Sequence, residues 1–425
     1  MKVFFHTLGC KVNHYETQEM LETLYKKGYQ IVTDAKEADV IVINSCTVTA
    51  ESDRKSRQAV RHYRKLNDNA ITVLTGCMPQ AYSDKSSLLE EADIILGNKT
   101  NSLLDEAIKQ FISNKETVIN VQPHLNNETL ISTGISHFEE RTRAYLKIED
   151  GCNRFCSYCA IPYARGRVRS KPIEEIVSEA EQLAENDFVE IVLVGINLSA
   201  YGTDLKNVDF PSAVKAVADI EKVKRVRLGS LEPDHLTDEV IEKLSKIEKL
   251  CPQFHISLQS GCNNTLKRMN RHYTAEEYLS LCNKLRSTFN NCTLTTDIMV
   301  GFSGETDEDF NETVEFVKKI GFEKVHIFPY SVREGTRAAS FENRIPNKVK
   351  NERAKLLNDV CSEIRSDFLK KQIRKEYDIL IEKTLDNGSL FGYTDNYIPV
   401  IINSSSNNKN GKYLIKDSDS EYCYA

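Results

Sequence analysis

The chain has 425 residues, 56 basic and 62 acidic, for a net charge of −6 and a mean hydropathy of −0.43. At about 150 residues per domain, that length holds roughly three domains with real cores. A disulfide-stapled miniature, a membrane-spanning chain and a uniformly basic nucleic-acid coat are excluded by size, by apolar runs far shorter than a bilayer and by the acidic balance. Met1 leads straight into an alternating apolar run with no signal-like segment, which predicts a cytoplasmic protein with no membrane contact.

In chain order, β-branched apolar runs at 3–8, 40–44, 71–74 and 94–96 alternate with helical patterns over 16–27 and 52–66. That rhythm predicts an open parallel sheet with crossover helices over residues 1–120. Residues 121–142 show no sustained period and read as a connection. Alternation restarts with six strand candidates, at 144–148, 190–194, 225–228, 254–258, 294–300 and 324–329, each followed by a helical pattern. Six βα units over 143–372 predict a partial TIM barrel, short of the eight that close one. Short alternating runs after 373, with turns at 386–388 and 408–411 and a loop over 404–410, predict a small all-β barrel to residue 425. The fold class is therefore α/β with a C-terminal all-β module.

Six of the 12 cysteines fall just beyond the C-terminal end of a predicted strand. Cys10, Cys46 and Cys77 do so on three strands of the first sheet, where loops and helix N-termini converge on ligands. They can therefore meet in space despite separations of 36 and 31 residues. Cys152, Cys156 and Cys159 form a CxxxCxxC run after the first strand of the second array. Zinc wants a fourth ligand, and no His or Cys follows closely. A [4Fe–4S] cluster held by three thiolates leaves one iron open, and the amino and carboxylate groups of S-adenosylmethionine (SAM) can fill it. The other six cysteines read as small buried apolar residues.

The stretch GCNRFCSYCAIPYARGRVRS (151–170), with HTLGCKVNHYET (6–17), NSCTVT (44–49) and TGCMPQ (75–80), resembles the radical-SAM methylthiotransferases. The resemblance spans the whole chain in three blocks, ending in a TRAM-type barrel. HTLGCKVNHYET and GRVRS are most similar to the MtaB branch, whose substrate is N6-threonylcarbamoyladenosine beside the anticodon of tRNA. The resemblance implies a transferase that places a methylthio group on C2 of that base, with one SAM as methyl donor and another as radical source. It implies two [4Fe–4S] clusters, a radical-SAM cluster on Cys152, Cys156 and Cys159 and an auxiliary one on Cys10, Cys46 and Cys77, with an electron donor to supply them. The sister substrates are isopentenyl-adenosine of tRNA and an aspartate of a ribosomal protein. Tyr158 resembles the aromatic that packs on SAM adenine. Gly195 and Asn197, Ser230 and Glu232, Ser257 and Gln259, and Gly301 and Phe302 end four successive strands, at the rim where cofactor contacts collect.

Charge is locally basic. Residues 143–171 carry seven cations against two acids, residues 54–65 carry six cations and no acid, and the C-terminal module nets −2. The alternating Arg165, Arg167 and Arg169 are the expected RNA contacts.

Overall fold

A computed structural model describes residues 1–86, 89–138, 142–403 and 410–425. The strands of the first unit are β1 (Lys2–Thr7), β2 (Gln30–Ile31), β3 (Val40–Ser45), β4 (Ile71–Gly76), β5 (Ile94–Leu96) and β6 (Val118–Asn120). Its helices are α1 (Lys11–Lys26), α2 (Ala50–Leu66), α3 (Cys77–Ala81), α4 (Ser83–Ser86) and α5 (Leu104–Asn114). The sheet is wholly parallel in the order β2-β1-β3-β4-β5-β6. β3 and β4 are buried along their whole length, as β-branched runs covered on both faces must be. Thr7 lies opposite Asn44, and Asn44 opposite Thr75, so the loops after β1, β3 and β4 leave one edge side by side. The short outer strands β2 and β6 carry too few apolar residues to be read from sequence.

The second unit opens with β7 (Arg143–Lys147), the short ribbon β8 (Glu149–Asp150) and β9 (Arg169–Ser170), and α6 (Ile161–Arg165) between them. Its parallel strands continue as β10 (Glu190–Val194), β11 (Arg225–Leu228), β12 (Ser230–Leu231), β13 (Gln253–Ile256), β14 (Thr293–Val300) and β15 (Lys324–Pro329). The helices are α7 (Ile173–Glu185), α8 (Phe210–Ala218), α9 (Asp238–Ser245), α10 (Asn263–Arg268), α11 (Ala275–Thr288), α12 (Asp307–Ile320) and α13 (Asn347–Lys370). Capping boxes at Thr274/Glu277 and Thr306/Asp309 fix the starts of α11 and α12. The third strand is split at Gly229: β11 pairs with β10 and β12 with β13. Among the described residues β15 pairs with β14 alone, so the six-unit barrel stays open between β15 and β7.

The last strands are β16 (Glu376–Thr384), β17 (Leu390–Thr394), β18 (Pro399–Ile402), β19 (Asn410–Leu414), β20 (Asp417–Ser418) and β21 (Cys423–Tyr424). They form one curled sheet in the order β19-β16-β17-β18-β21-β20. Residues 410 and 411 belong to β19 rather than to a turn, because they pair with Leu380 and Ile379; the rest of the expected loop, 404–409, lies outside the described residues. The module sits at the base of the barrel. Thr293 Oγ1 donates to the Asn396 carbonyl at 2.6 Å, and the stacked rings of Tyr393 and Tyr397 (4.3 Å) lie under the Arg143 guanidinium.

Between β6 and β7 the chain carries no helix or strand among the described residues, yet it is pinned. Glu22 accepts the backbone N–H groups of Ser136 and His137, and Ile135 and Phe138 enter the barrel's core cluster. α1 joins the units as well, since Val12 and Tyr15 pack in that cluster too. No helix of the described residues is long and apolar enough to cross a membrane.

Candidate active site

Each cysteine of the first triad starts a helix or the loop into one. Cys10 is the N-cap of α1, Cys46 lies just past β3, and Cys77 is the first residue of α3. Helix N-termini favour negative charge, so thiolates are stabilised there. Gly9 has φ +109°, and a Cβ on it would meet Cys46 Sγ at 2.9 Å, so the close approach of the two loops requires glycine. Asn13 ties the triad together. Its Nδ2 donates to the carbonyls of Leu8 (2.8 Å) and Ser45 (2.9 Å), and its Oδ1 lies 3.9 Å from Cys10 Sγ and 3.8 Å from Cys77 Sγ.

The fourth side of this pocket comes from the barrel unit. Arg165, fully buried, donates from Nε to Cys77 Sγ (3.2 Å) and from Nη2 to Asn13 Oδ1 (2.7 Å). Glu16 and Asp150 balance its charge, and Lys147 bridges both acids at 2.9 and 3.1 Å. A buried guanidinium is tolerable only when paired this completely. Burial pushes the Cys77 thiol up to about 12, against the pull of Arg165.

The second triad occupies the loop after β8. Cys152 Sγ accepts from the Arg154 N–H (3.5 Å) and faces Asn197 Nδ2 at 3.8 Å. Cys156 Sγ accepts from Arg271 Nη1 (3.2 Å), and Arg271 is held by Glu232. Burial pushes the Cys159 thiol up to about 12. Glu149, buried, accepts the Asn197 N–H at 2.7 Å and fixes the 195–197 turn; burial raises its carboxyl well above the usual range. Glu149 Oε1 and Asn197 Oδ1 are buried with no hydrogen-bond partner in the protein, polar atoms that suit a polar ligand.

The two triads adjoin. α6 begins two residues after Cys159, packs on α3, and carries Arg165 to Cys77. On the far side Arg333, in the loop after β15, binds Thr47 Oγ1 (2.6 Å) and Asp53 (2.8 Å). Among the described residues, the one set of three His, Cys, Asp or Glu ligand atoms within 4.8 Å of one another is His255, Asp297 and His326. Neither thiol triad is therefore closed as tightly as a single zinc ion requires, with sulfurs about 3.8 Å apart for 2.3 Å bonds. Wider sets of three soft thiol donors fit iron–sulfur clusters.

Of the expected cofactor contacts, Tyr158, Gly195, Asn197, Ser230, Glu232, Ser257 and Gln259 all lie at the C-terminal ends of the barrel strands or on the cysteine loop. Four expectations need correction. Phe302 is fully buried, edge-on to Tyr158 (6.2 Å) and Tyr330 (4.9 Å), so it backs the Tyr158 ring rather than reaching a ligand. Gly301 gives its N–H to Glu305 (2.6 Å) and lies against the Lys350 stem, a packed turn. Arg165 cannot contact RNA, being inside the thiol pocket. Arg169 is buried too, with Glu128 at 3.3 Å and Asp150 at 3.5 Å. Arg167 alone of the three is exposed, lying 4.6 Å over the half-exposed Phe155 ring. In residues 54–65, Arg54, Arg61 and Arg64 are already paired with Glu51, Glu91 and Asp93.

Sequence reasoning missed Asn13, Glu149 and Arg271. Glu149 had a signal, since charged residues in the KIED run extend a strand that is otherwise core. Arg271, 115 residues from Cys156, had none.

Comparison with known proteins agrees with this geometry. The family model described as "Radical SAM superfamily" matches residues 146–317, and that described as "Uncharacterized protein family UPF0004" matches 2–97. Among solved structures, the radical S-adenosylmethionine methyltransferase TsrM from Kitasatospora setae has the same fold over 77% of this chain and 72% of its own (TM-score 0.56, 13% identity). The fold and the cysteine loop thus define a radical-SAM enzyme, which uses SAM and a [4Fe–4S] cluster. The chain is 38% identical over 404 residues to the threonylcarbamoyladenosine tRNA methylthiotransferase MtaB of Bacillus subtilis (strain 168), covering 94% of this chain and 90% of that protein. It is 36% identical over 400 residues to a tRNA-2-methylthio-N(6)-dimethylallyladenosine synthase of Clostridium botulinum, covering 92% and 88%. The chain belongs to the radical-SAM methylthiotransferase family, and it is a transferase.

Proposed function

We propose that this enzyme methylthiolates C2 of N6-threonylcarbamoyladenosine beside the anticodon of tRNA, with a second [4Fe–4S] cluster on Cys10, Cys46 and Cys77. The observation that carries it is Arg165, which leaves the radical-SAM loop and closes the other thiol pocket, so both triads serve one reaction space. When loaded, the two clusters with SAM supply the radical that opens an unactivated C–H bond and the sulfur and methyl group that replace hydrogen.

The chain's own residues do the rest. Glu149 holds the turn at 195–197, and the Arg271–Glu232 pair fixes the strand ends beside Cys156. Tyr158, backed by Phe302, offers its ring to the cofactor. Arg167, with Phe155 and Tyr163 exposed beside it, gives an RNA loop a cation and two aromatic faces. An external one-electron donor completes the system, and the C-terminal sheet, as a TRAM-type module, contributes to tRNA docking.

Anaerobic reconstitution should load about eight irons per chain, falling to about four when Cys152, Cys156 and Cys159 are replaced by Ala. Turnover on an anticodon stem–loop bearing threonylcarbamoyl-adenosine should yield 5′-deoxyadenosine, S-adenosylhomocysteine and an RNA heavier by one methylthio group. Zinc in place of iron, or modification of the isopentenyl-adenosine stem–loop or a ribosomal protein alone, would overturn this assignment.

A further inference from the structure

The inner faces of a closed TIM barrel are packed with side chains. Here a cavity of about 720 Å³, within the usual range for a ligand pocket, runs from the open side of the barrel to α13 and the C-terminal sheet. On the edge strand β15, Lys324, His326 and Phe328 are exposed, while Val325 and Ile327 face the packed core. His255 of β13 and Asp297 of β14 complete a polar layer with His326. His255 Nε2 lies 3.2 Å from Asp297 Oδ2, its Nδ1 lies 2.9 Å from Thr295 Oγ1, and the two imidazole rings are 5.9 Å apart. His255 is two residues before Ser257, so this layer lies one strand repeat below the rim that holds the cysteine loop.

Lys11 lines the same cavity. It follows Cys10 directly, so the wall of the lumen continues into the first thiol triad. The lining is rich in cations. Lys11, Lys324, Arg143, Arg227 and Arg365 face two glutamates, and Glu190 already engages Arg143 and Arg227. Although His326 is open to the cavity, desolvation by the surrounding wall, with the charges of Lys324, His255 and Lys11, lowers its pKa against the pull of Asp297, so it offers a neutral ring. C2 and N6 lie on one edge of adenine. A base that presents C2 to the triads therefore keeps its N6 substituent beside them, and Lys11 joins that place to the lumen.

We propose that Lys11 and His326, with the His255–Asp297 pair behind them, form the specificity site for the anionic amino-acid substituent on N6 of the target adenosine. Lys11 and His326 take the carboxylate, and Asp297 accepts from the N–H or hydroxyl groups. This rests on the substrate assigned above. An aliphatic substituent would bring this charged, polar layer neither a counter-charge nor a hydrogen-bonding group, so the site would favour the anionic one.

The test uses the full-length, iron-reconstituted enzyme and three stem–loops that carry threonylcarbamoyl-adenosine, dimethylallyl-adenosine or plain adenosine. Lys11→Met and His326→Ala should each weaken binding of the threonylcarbamoyl RNA about tenfold, with a smaller than twofold change for the plain RNA. Iron content is measured for each variant; His326, away from both triads, keeps the test decisive if Lys11→Met loads poorly. Equal losses on all three RNAs, or none, would overturn the site. So would one zinc retained by the wild type and lost in His326→Ala, which would make the layer a metal site. A wild type active only on the dimethylallyl RNA would instead overturn the substrate assignment itself.

Discussion

Arg165 separates what a sequence can say about a residue from what only a fold can. The CxxxCxxC run is legible because its chemistry is local, and Cys10, Cys46 and Cys77 are legible because parallel strands end at one edge. Arg165 sits in a basic, alternating stretch that reads as surface, yet Glu16, its counter-ion, is 149 residues away. Phe302 and Gly301 misled for a related reason, since the register at a strand end decides which neighbour faces the lumen. Replacing Arg165 with Met would leave Glu16 and Asp150 buried with Lys147 as their main counter-charge, at a cost of about 3–5 kcal/mol. Urea unfolding of the metal-free chain should show that loss. Arg165→Lys should recover part of it, while the spectrum of the cluster proposed at Cys77 should change because the Nε contact is gone.

At the level of elements, the strand and helix pattern was largely readable, and the exceptions are instructive. The first turn of α1 escapes a periodicity reading because Val12 and Tyr15 pack on the barrel rather than on their own sheet. The segment between β6 and β7 has no period because carboxylates hold it. Glu128 in that segment binds Lys99, His124 and Arg169. Burial would raise the Glu128 pKa, but the hydrogen bonds from Lys99, His124 and the Leu125 N–H hold it down to about 2. A depressed carboxyl stabilises the fold fully above its unfolded pKa of 4.5, and the benefit is lost as pH falls from there towards 2. The urea midpoint should therefore drop between pH 5.5 and 3.5, and by less in Glu128→Gln; an identical drop in both would assign the effect to other carboxyls.

For the whole molecule, the joints between the parallel sheet, the barrel strands and the C-terminal curled sheet could not be read from the sequence. Tyr393 and Tyr397 sit in an acidic module whose charge suggested little, yet they stack with Arg143 at the barrel base, where Glu382 and Glu190 also bind that guanidinium. Arg143→Ala should loosen this joint, so that calorimetry resolves the C-terminal sheet as an earlier-melting step; a single transition matching wild type would argue against it. The contact between Arg165 and Cys77 also sets an order of events during synthesis. The amino-terminal sheet leaves the ribosome with its sulfur pocket missing a wall that is translated 88 residues later. That pocket is therefore complete only once the second cysteine loop has been made.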